Sequence, residues 1–313
     1  MMVLGQLGKR KQGLKDVMMN VYRSLKFFCV IWTVLSVASA AAQQSSRSAE
    51  PTLSIVLPIY NERGLDLLLS SQTEFRFYLQ PGDTFMLVSG NVEGDVDIAW
   101  LNDAATSLRQ VYPDVAIIAA TSGLSNVAAT TLGAEPPIEA VIYIYEPNFP
   151  NLPEFTWDFQ ATLEHLSEAS AWAQVRELRL GAKPTGRPLL QRSLLRYNWN
   201  YAQLGETFDE LFVQTQTYCK DGTQAFERAL ERVIRQVAVG NPGFPWYPQV
   251  TVDPKAPNGT TVERAFDCAQ IAHIKGLAGV LLWWSPEYPG QALSFLRQLR
   301  APPSAQQLGE QPY

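Results

Sequence analysis

Eight short apolar runs, each followed by a stretch with room for a helix, recur along this chain and constrain its fold more than any other feature. The runs are Leu53–Tyr60, Thr84–Gly90, Asp114–Thr121, Glu139–Glu146, Glu177–Lys183, Glu210–Tyr218, Tyr247–Asp253 and Gly279–Trp284. Their shortness and their β-branched and aromatic residues suit buried strands better than helices. The segment Ile138–Asn148 shows the type: Pro136-Pro137 precedes it, and Pro147 forbids its continuation as a paired central strand. Between the runs, Ile98–Val111, Thr156–Val175, Gln224–Val237 and Thr261–Lys275 have helical period. Phe226, Leu230, Val233 and Val237, for example, share one face of an otherwise charged segment. Leu65–Phe77 and Ser125–Leu132 carry that period more weakly. Strands alternating with helices imply a parallel sheet, and eight of them close into a (β/α)8 TIM barrel, here over residues 51–300. The competing architecture is a doubly wound open sheet. It calls for a Gly-rich phosphate turn after the first strand, where Tyr60-Asn61-Glu62-Arg63 stands instead.

Near the N-terminus, Lys9, Arg10, Lys11, Lys15, Arg23 and Lys26 stand against one acid, Asp16, and an apolar stretch from Phe27 to Ala42 follows. Ala38-Ser39-Ala40 fits a small-residue cleavage site, so residues 1–42 read as a secretory signal peptide. An uncleaved anchor is the alternative, but the stretch falls short of the roughly 20 apolar residues that a spanning helix wants. Residues 43–50 then read as a flexible leader, and residues 301–313, with Pro302, Pro303, Gln306, Gln307 and Pro312, as a disordered tail. Without residues 1–42 the chain holds 19 basic against 29 acidic residues, a formal charge of −10. That sign argues against nucleic acid and anionic membrane as partners. The expectation is a secreted protein, periplasmic or extracellular, monomeric and without stable membrane insertion after cleavage.

In a barrel of this kind the strand C-termini converge on one face, and the chemistry sits there. The first strand ends in Tyr60 and Asn61, the second in Ser89-Gly90-Asn91, the third in Thr121-Ser122 and the fourth in Tyr145-Glu146. The fifth ends in Lys183-Pro184-Thr185, the sixth in Gln214, Gln216 and Tyr218, the seventh in Thr251 and Asp253, and the eighth in Trp283-Trp284 with Glu287 shortly after. Amides, hydroxyls, aromatic faces and a few carboxylates suit a polyhydroxylated ligand, since sugars offer hydroxyls to the polar groups and apolar ring faces to Tyr and Trp. For any one of these residues a structural role competes: a salt bridge for Glu146, core packing for either Trp.

Tyr145-Glu146-Pro147 resembles the Asn-Glu-Pro of barrel glycoside hydrolases of the clan-A type, whose Glu is the general acid/base. The eighth strand, Gly279-Val280-Leu281-Leu282-Trp283-Trp284-Ser285-Pro286, is similar to the Gly-Val-x-x-Trp ending of those enzymes and of chitinase-like barrels, where a Trp floors the sugar site. The resemblance implies Glu146 as acid/base, Trp283 or Trp284 as platform, and Asp253 or Glu287 as the second carboxylate. Carbohydrate is the expected ligand, with Tyr60, Asn61, Tyr145, Lys183, Gln214, Gln216 and Tyr218 as further contacts from their strand-end positions, and no cofactor or metal is expected. Three departures stand against it. Tyr145 replaces the Asn before the acid. Asp253 replaces a longer Glu on the seventh strand, which stretches the carboxylate separation towards the inverting range of roughly 6.5–9.5 Å. Ile142 and Ile144 replace the alternating Asp residues of chitinase-like barrels, which suggests a weakened enzyme or a carbohydrate-binding or envelope protein without activity.

Other chemistries have little material. His165 and His273, the only histidines, fall in helical segments, which leaves a Ser/His/Asp or Cys/His machine without its base. Cys219 and Cys268 are expected as separate buried thiols, the one ending a strand and the other inside a helix. Lys183 is a charge partner or ligand contact in preference to a Schiff-base lysine. With Arg187 it could also hold an anionic substituent such as a uronate. Asn258-Gly259-Thr260 is a glycosylation sequon in a eukaryotic host.

Overall fold

The computed structural model describes residues 53–70, 72–90, 94–145, 159–184 and 201–301. The expected signal peptide, the leader, Glu146, Thr185, Arg187 and all of the expected tail except Ala301 lie outside the described residues. Eight strands are present: β1 (Ser54–Ile59), β2 (Thr84–Val88), β3 (Ala116–Ser122), β4 (Ala140–Tyr145), β5 (Arg179–Pro184), β6 (Glu210–Val213), β7 (Trp246–Thr251) and β8 (Gly279–Trp283). They pair in parallel in sequence order, and β8 returns to β1 to close the barrel. That closure excludes the open sheet. Around it, among the described residues, run α1 (Glu62–Ser70), α2 (Gln72–Arg76), α3 (Ile98–Val111), α4 (Leu124–Gly133), α5 (Phe159–Val175), α6 (Tyr201–Thr207), α7 (Gln216–Asp221), α8 (Thr223–Gly240), α9 (Val262–Ile274) and α10 (Pro289–Arg300). Among the described residues no helix is long and apolar enough to cross a membrane.

Each strand is buried on both faces, which is why each reads as a nearly unbroken apolar run. Alternate residues separate into two layers. Val56, Met86, Val88, Ile118, Ala120, Ile142, Ile144, Phe212 and Leu281 form the inner one. Ile55, Leu57, Phe85, Leu87, Ile117, Val141, Leu211, Val250 and Leu282 belong to the outer one, packed against the helices. At the seam Ser54 pairs with Gly279, and a Cβ on Gly279 would lie 2.3 Å from the Ser54 carbonyl oxygen, so only glycine lets β8 approach β1 this closely. Side-chain caps set several helix starts: the Asp97 carboxylate accepts from Trp100 N at 2.9 Å, Thr261 Oγ1 from Arg264 N at 3.2 Å, and Asn61 Oδ1 from Gly64 N at 2.9 Å.

Strand positions agree with expectation to within two residues except on the sixth run, expected to extend to Tyr218. There β6 stops at Val213, Thr215 Oγ1 donates to the Gln249 carbonyl on β7 at 2.9 Å, and the chain turns into α7. The separate-thiol expectation fails with it. Cys219 lies in α7 beside α9, its Cα is 6.1 Å from that of Cys268, and the two are joined in a disulfide. That distance is inside the span a bridge allows.

Two buried ionic groups hold the N-terminal rim. Arg300, at the end of α10, donates to both oxygens of Asp83 at 2.6 and 2.9 Å and to the Leu53 carbonyl at 2.9 Å. Asp83 also accepts from Ile55 N and Gln80 N. Burial pushes the Asp83 carboxyl above the ordinary range, against the pull of Arg300. Glu210, at the start of β6, is raised in the same way against Arg179, which donates to it at 2.9 Å. Both carboxylates sit opposite the strand C-termini, where barrels place stabilising groups.

Arg300→Ala would leave Asp83 buried without a counter-charge, so it should cost about 3–5 kcal/mol in urea denaturation, and replacing both residues by apolar ones should recover much of the loss. A second expectation concerns alkaline pH. The Tyr112 and Tyr247 phenols are pushed up from 10.0 to about 12, chiefly by burial. Below pH 10 the phenols are neutral whether the chain is folded or not, so their contribution to stability is complete there, and it is lost as pH rises through about 12. The urea midpoint should therefore fall over that interval, and less so in the Tyr112→Phe, Tyr247→Phe double variant.

Candidate functional site

The layer a strand residue belongs to decides whether it reaches the C-terminal mouth. On β8 the two adjacent tryptophans part ways. Trp284 is 2% exposed in the outer layer, donates from Nε1 to the Pro58 carbonyl at 2.8 Å and packs its ring 5.8 Å from that of Phe75. Trp283 is partly exposed, and its ring lies 4.4 Å from that of Tyr60 at an interplanar angle of 45°. Tyr60 packs on the inner layer. Lys183, 2% exposed near the end of β5, places Nζ 5.5 Å from the centre of the Trp283 ring, within cation–π range. Tyr60, Trp283 and Lys183 therefore meet at the mouth, as their strand-end positions suggest.

Gln249 is a further buried polar side chain, one that the strand ends do not point to. It lies mid-strand on β7, 3% exposed, and Oε1 has no hydrogen-bond partner among the described residues. Oε1 of the expected Gln216, at the start of α7, is equally without one. A buried amide oxygen left unpaired carries a desolvation cost of about 1–3 kcal/mol that a donor would relieve. The sequence signal for Gln249 is a polar side chain inside an otherwise buried strand.

Other expected residues have different duties. Tyr145 is 6% exposed and packs in the outer layer, its ring 6.0 Å from that of Tyr143. Tyr218 is buried in the same layer from α7. Asn61 caps α1. Gln214 is partly exposed just past β6, its backbone N–H reaching the Pro184 carbonyl. Asp253 Oδ1 accepts from Lys255 N at 3.0 Å in the turn after β7. Glu287 is half exposed, 3.9 Å from Arg63 and 3.6 Å from Lys255. Lys255 bridges these two acids and is pushed above the usual lysine range by Tyr288 and Glu287. Among the described residues no three His, Cys, Asp or Glu side chains gather as metal ligands would.

Beside Tyr60, the ends of β1 and β2 border an open pocket of about 420 Å³ lined by Tyr60, Asn61, Glu62, Val88, Ser89, Gly90, Asp97 and Trp100. Gly90 has φ +63°, and a Cβ there would lie 2.9 Å or less from Asn126 Nδ2 and Thr121 Oγ1, so the wall needs glycine on both counts. Asn126 braces it, donating to the carbonyls of Gly94 and Ser122 and accepting from Val96 N.

Neither a protein-family model nor a curated protein matches the sequence. Solved structures do match in three dimensions. The glycoside hydrolase domain of PgaB (BpsB) from Bordetella bronchiseptica superposes with a TM-score of 0.55 at 9% identity, over 81% of this chain and 100% of that one. The fold is shared. The Group IV chitinase of Ostrinia furnacalis gives 0.55 at 12% identity, over 79% and 99%. The Bacillus megaterium spore cortex-lytic enzyme SleL gives 0.53 at 10%, over 80% and 74%. Identities this low establish the barrel and leave its chemistry to the residues above.

The two tryptophans should separate on mutation. Trp284→Ala, which empties a buried site, should cost about 3–5 kcal/mol in chemical denaturation. Trp283→Ala should leave the denaturation midpoint near wild type, because that ring is partly exposed at the mouth.

Proposed function

We propose that this barrel takes glycan chains at its C-terminal mouth and cleaves them as a glycoside hydrolase. The observation that carries the reading is the group of Trp283, Tyr60 and Lys183: an aromatic floor with a buried cation within cation–π range of it. A sugar ring would stack its apolar face on Trp283. Glu146, which the sequence places directly after the end of β4, is the proposed general acid, its role to protonate the leaving oxygen. Asp253 or Glu287 is the second carboxylate. The likeness to chitinase and glycoside hydrolase domains supports the choice of reaction by analogy of fold. Export is part of the proposal, supported by the pattern of residues 1–42 and by the Cys219–Cys268 disulfide, which suits an oxidising compartment.

Specific observations favour a second reading, a carbohydrate-binding barrel without turnover. Asp253 caps a turn and Glu287 lies among cations on the rim, while Ile142 and Ile144 fill the inner layer where chitinase-like barrels carry Asp. One variant decides between them. Under the hydrolase reading Glu146→Gln keeps glycan affinity and lowers turnover of chitooligosaccharides or another cleaved glycan by about 10² to 10⁴-fold. Unchanged turnover in that variant removes Glu146 from the mechanism. Glycan binding with no turnover by the wild type across a broad panel selects the binding protein.

A further inference from the structure

We infer that the rim opposite the mouth rests on a lipid surface, so that the barrel stands on a membrane with its mouth turned away from it. The inference does not depend on what the mouth binds.

Six large apolar side chains are exposed among the described residues: Phe77, Leu132, Trp172, Val175, Val239 and Ile274, from 52% for Leu132 to 80% for Val239. Single exposed apolar residues are ordinary on a protein surface, but the placement of these six is not. Phe77 directly follows α2, Leu132 lies in the last turn of α4, Trp172 and Val175 lie in that of α5, Val239 lies in that of α8, and Ile274 ends α9. The helices of a parallel barrel run back against its strands, so these five helix ends all lie on the N-terminal rim. Arg176 donates to the carbonyls of Leu132 and Ala134 at 2.8 and 2.9 Å, which draws the end of α4 to the helix end that carries Trp172 and Val175. Tryptophan favours the boundary between lipid headgroups and acyl chains. Arg76, exposed next to Phe77, has a stem that can lie along apolar surface and a head that can meet headgroup phosphate.

The course of the chain selects lipid over other occupants. β1 begins on this rim, so residues 1–52 join the barrel there, and only residues 43–52 separate Leu53 from the apolar stretch Phe27–Ala42. Ten extended residues span about 36 Å at most. While that stretch is held by the membrane during export, this rim is on a short tether to the bilayer. The contact itself uses the barrel's own side chains, so it does not require the stretch to stay attached. Apolar contacts and the net negative charge of the chain beyond residue 42 suit a neutral lipid surface better than an anionic one.

The test places an environment-sensitive, thiol-reactive fluorophore on the full chain at one of three exposed positions, each in a Cys29→Ser background that leaves only the disulfide cysteines besides the label. Val175→Cys and Ile274→Cys put it on this rim, and Glu263→Cys puts it at the opposite end of α9. On addition of phosphatidylcholine vesicles the emission should shift to the blue at the two rim positions and stay unchanged at the third, with the urea midpoints of all three alike. Adding Phe77→Ser, Val239→Ser and Ile274→Ser to the Val175→Cys chain should remove most of the shift and leave the urea midpoint in place, since these side chains are exposed. Flotation with the vesicles without a rim shift leaves only the N-terminal stretch in the lipid and overturns the inference. An equal shift at all three positions overturns the orientation. A rim shift that appears without vesicles, together with a doubled mass in sedimentation, assigns the surface to a second copy of the chain and overturns the lipid contact. Failure of the full chain to associate with the vesicles overturns it as well.

Discussion

The guanidinium of Arg300 lies where the barrel must be fastened. A closed sheet has to join its first strand to its last, and those strands are separated by nearly the whole described chain. Arg300 ends the helix that follows β8, yet it reaches the Leu53 carbonyl at the entry to β1 and the Asp83 carboxylate at the entry to β2. Asp83 in turn holds Ile55 N on β1. One ion pair thus ties α10, β1 and β2 together at the N-terminal rim, next to the glycine contact between β8 and β1. Desolvation makes it a costly device, seen in the raised Asp83 carboxyl, and such a pair is better understood as specifying register than as adding net stability. The geometry of the opposite rim depends on that register, because it sets which residues of β1 and β8 stand side by side there.

Much of the fold is legible in the sequence because strands buried on both faces leave continuous apolar runs and amphipathic helices leave a periodic one. Ile98–Val111 is read to its ends, since Asp97 caps it and Leu101, Ala104, Ala105 and Leu108 mark its buried face. The last helix, opened by Pro289 and anchored by Phe295 and Leu296, is not among those read from the sequence, although its apolar residues recur at helical spacing. The sixth strand misleads for a different reason. Gln214 to Tyr218 alternates as a strand does, and what ends β6 is a hydrogen bond from Thr215 to another strand, which no local pattern contains.

The site is legible in part. Tyr60, Lys183 and Trp283 are recoverable from their places near strand ends. The choice between Trp283 and Trp284, and the assignment of Tyr145 to packing, need the register of the barrel, because neighbours on a strand belong to opposite layers. Trp100 and Ser89 are harder still. They reach one open pocket from a helix start and a strand end, and only the closed sheet sets these beside Tyr60.

The disulfide alters what a cut in the chain would do. Cys219 and Cys268 are 49 positions apart, and the span between them holds the end of α7, all of α8 and β7, and the start of α9. Closing a loop of that size removes unfolded-chain entropy equivalent to about 4 kcal/mol in the simple loop model. It also means that a protease cleaving anywhere in that span leaves both pieces covalently joined. A sector of the wall that includes Gln249 can thus be nicked without coming away.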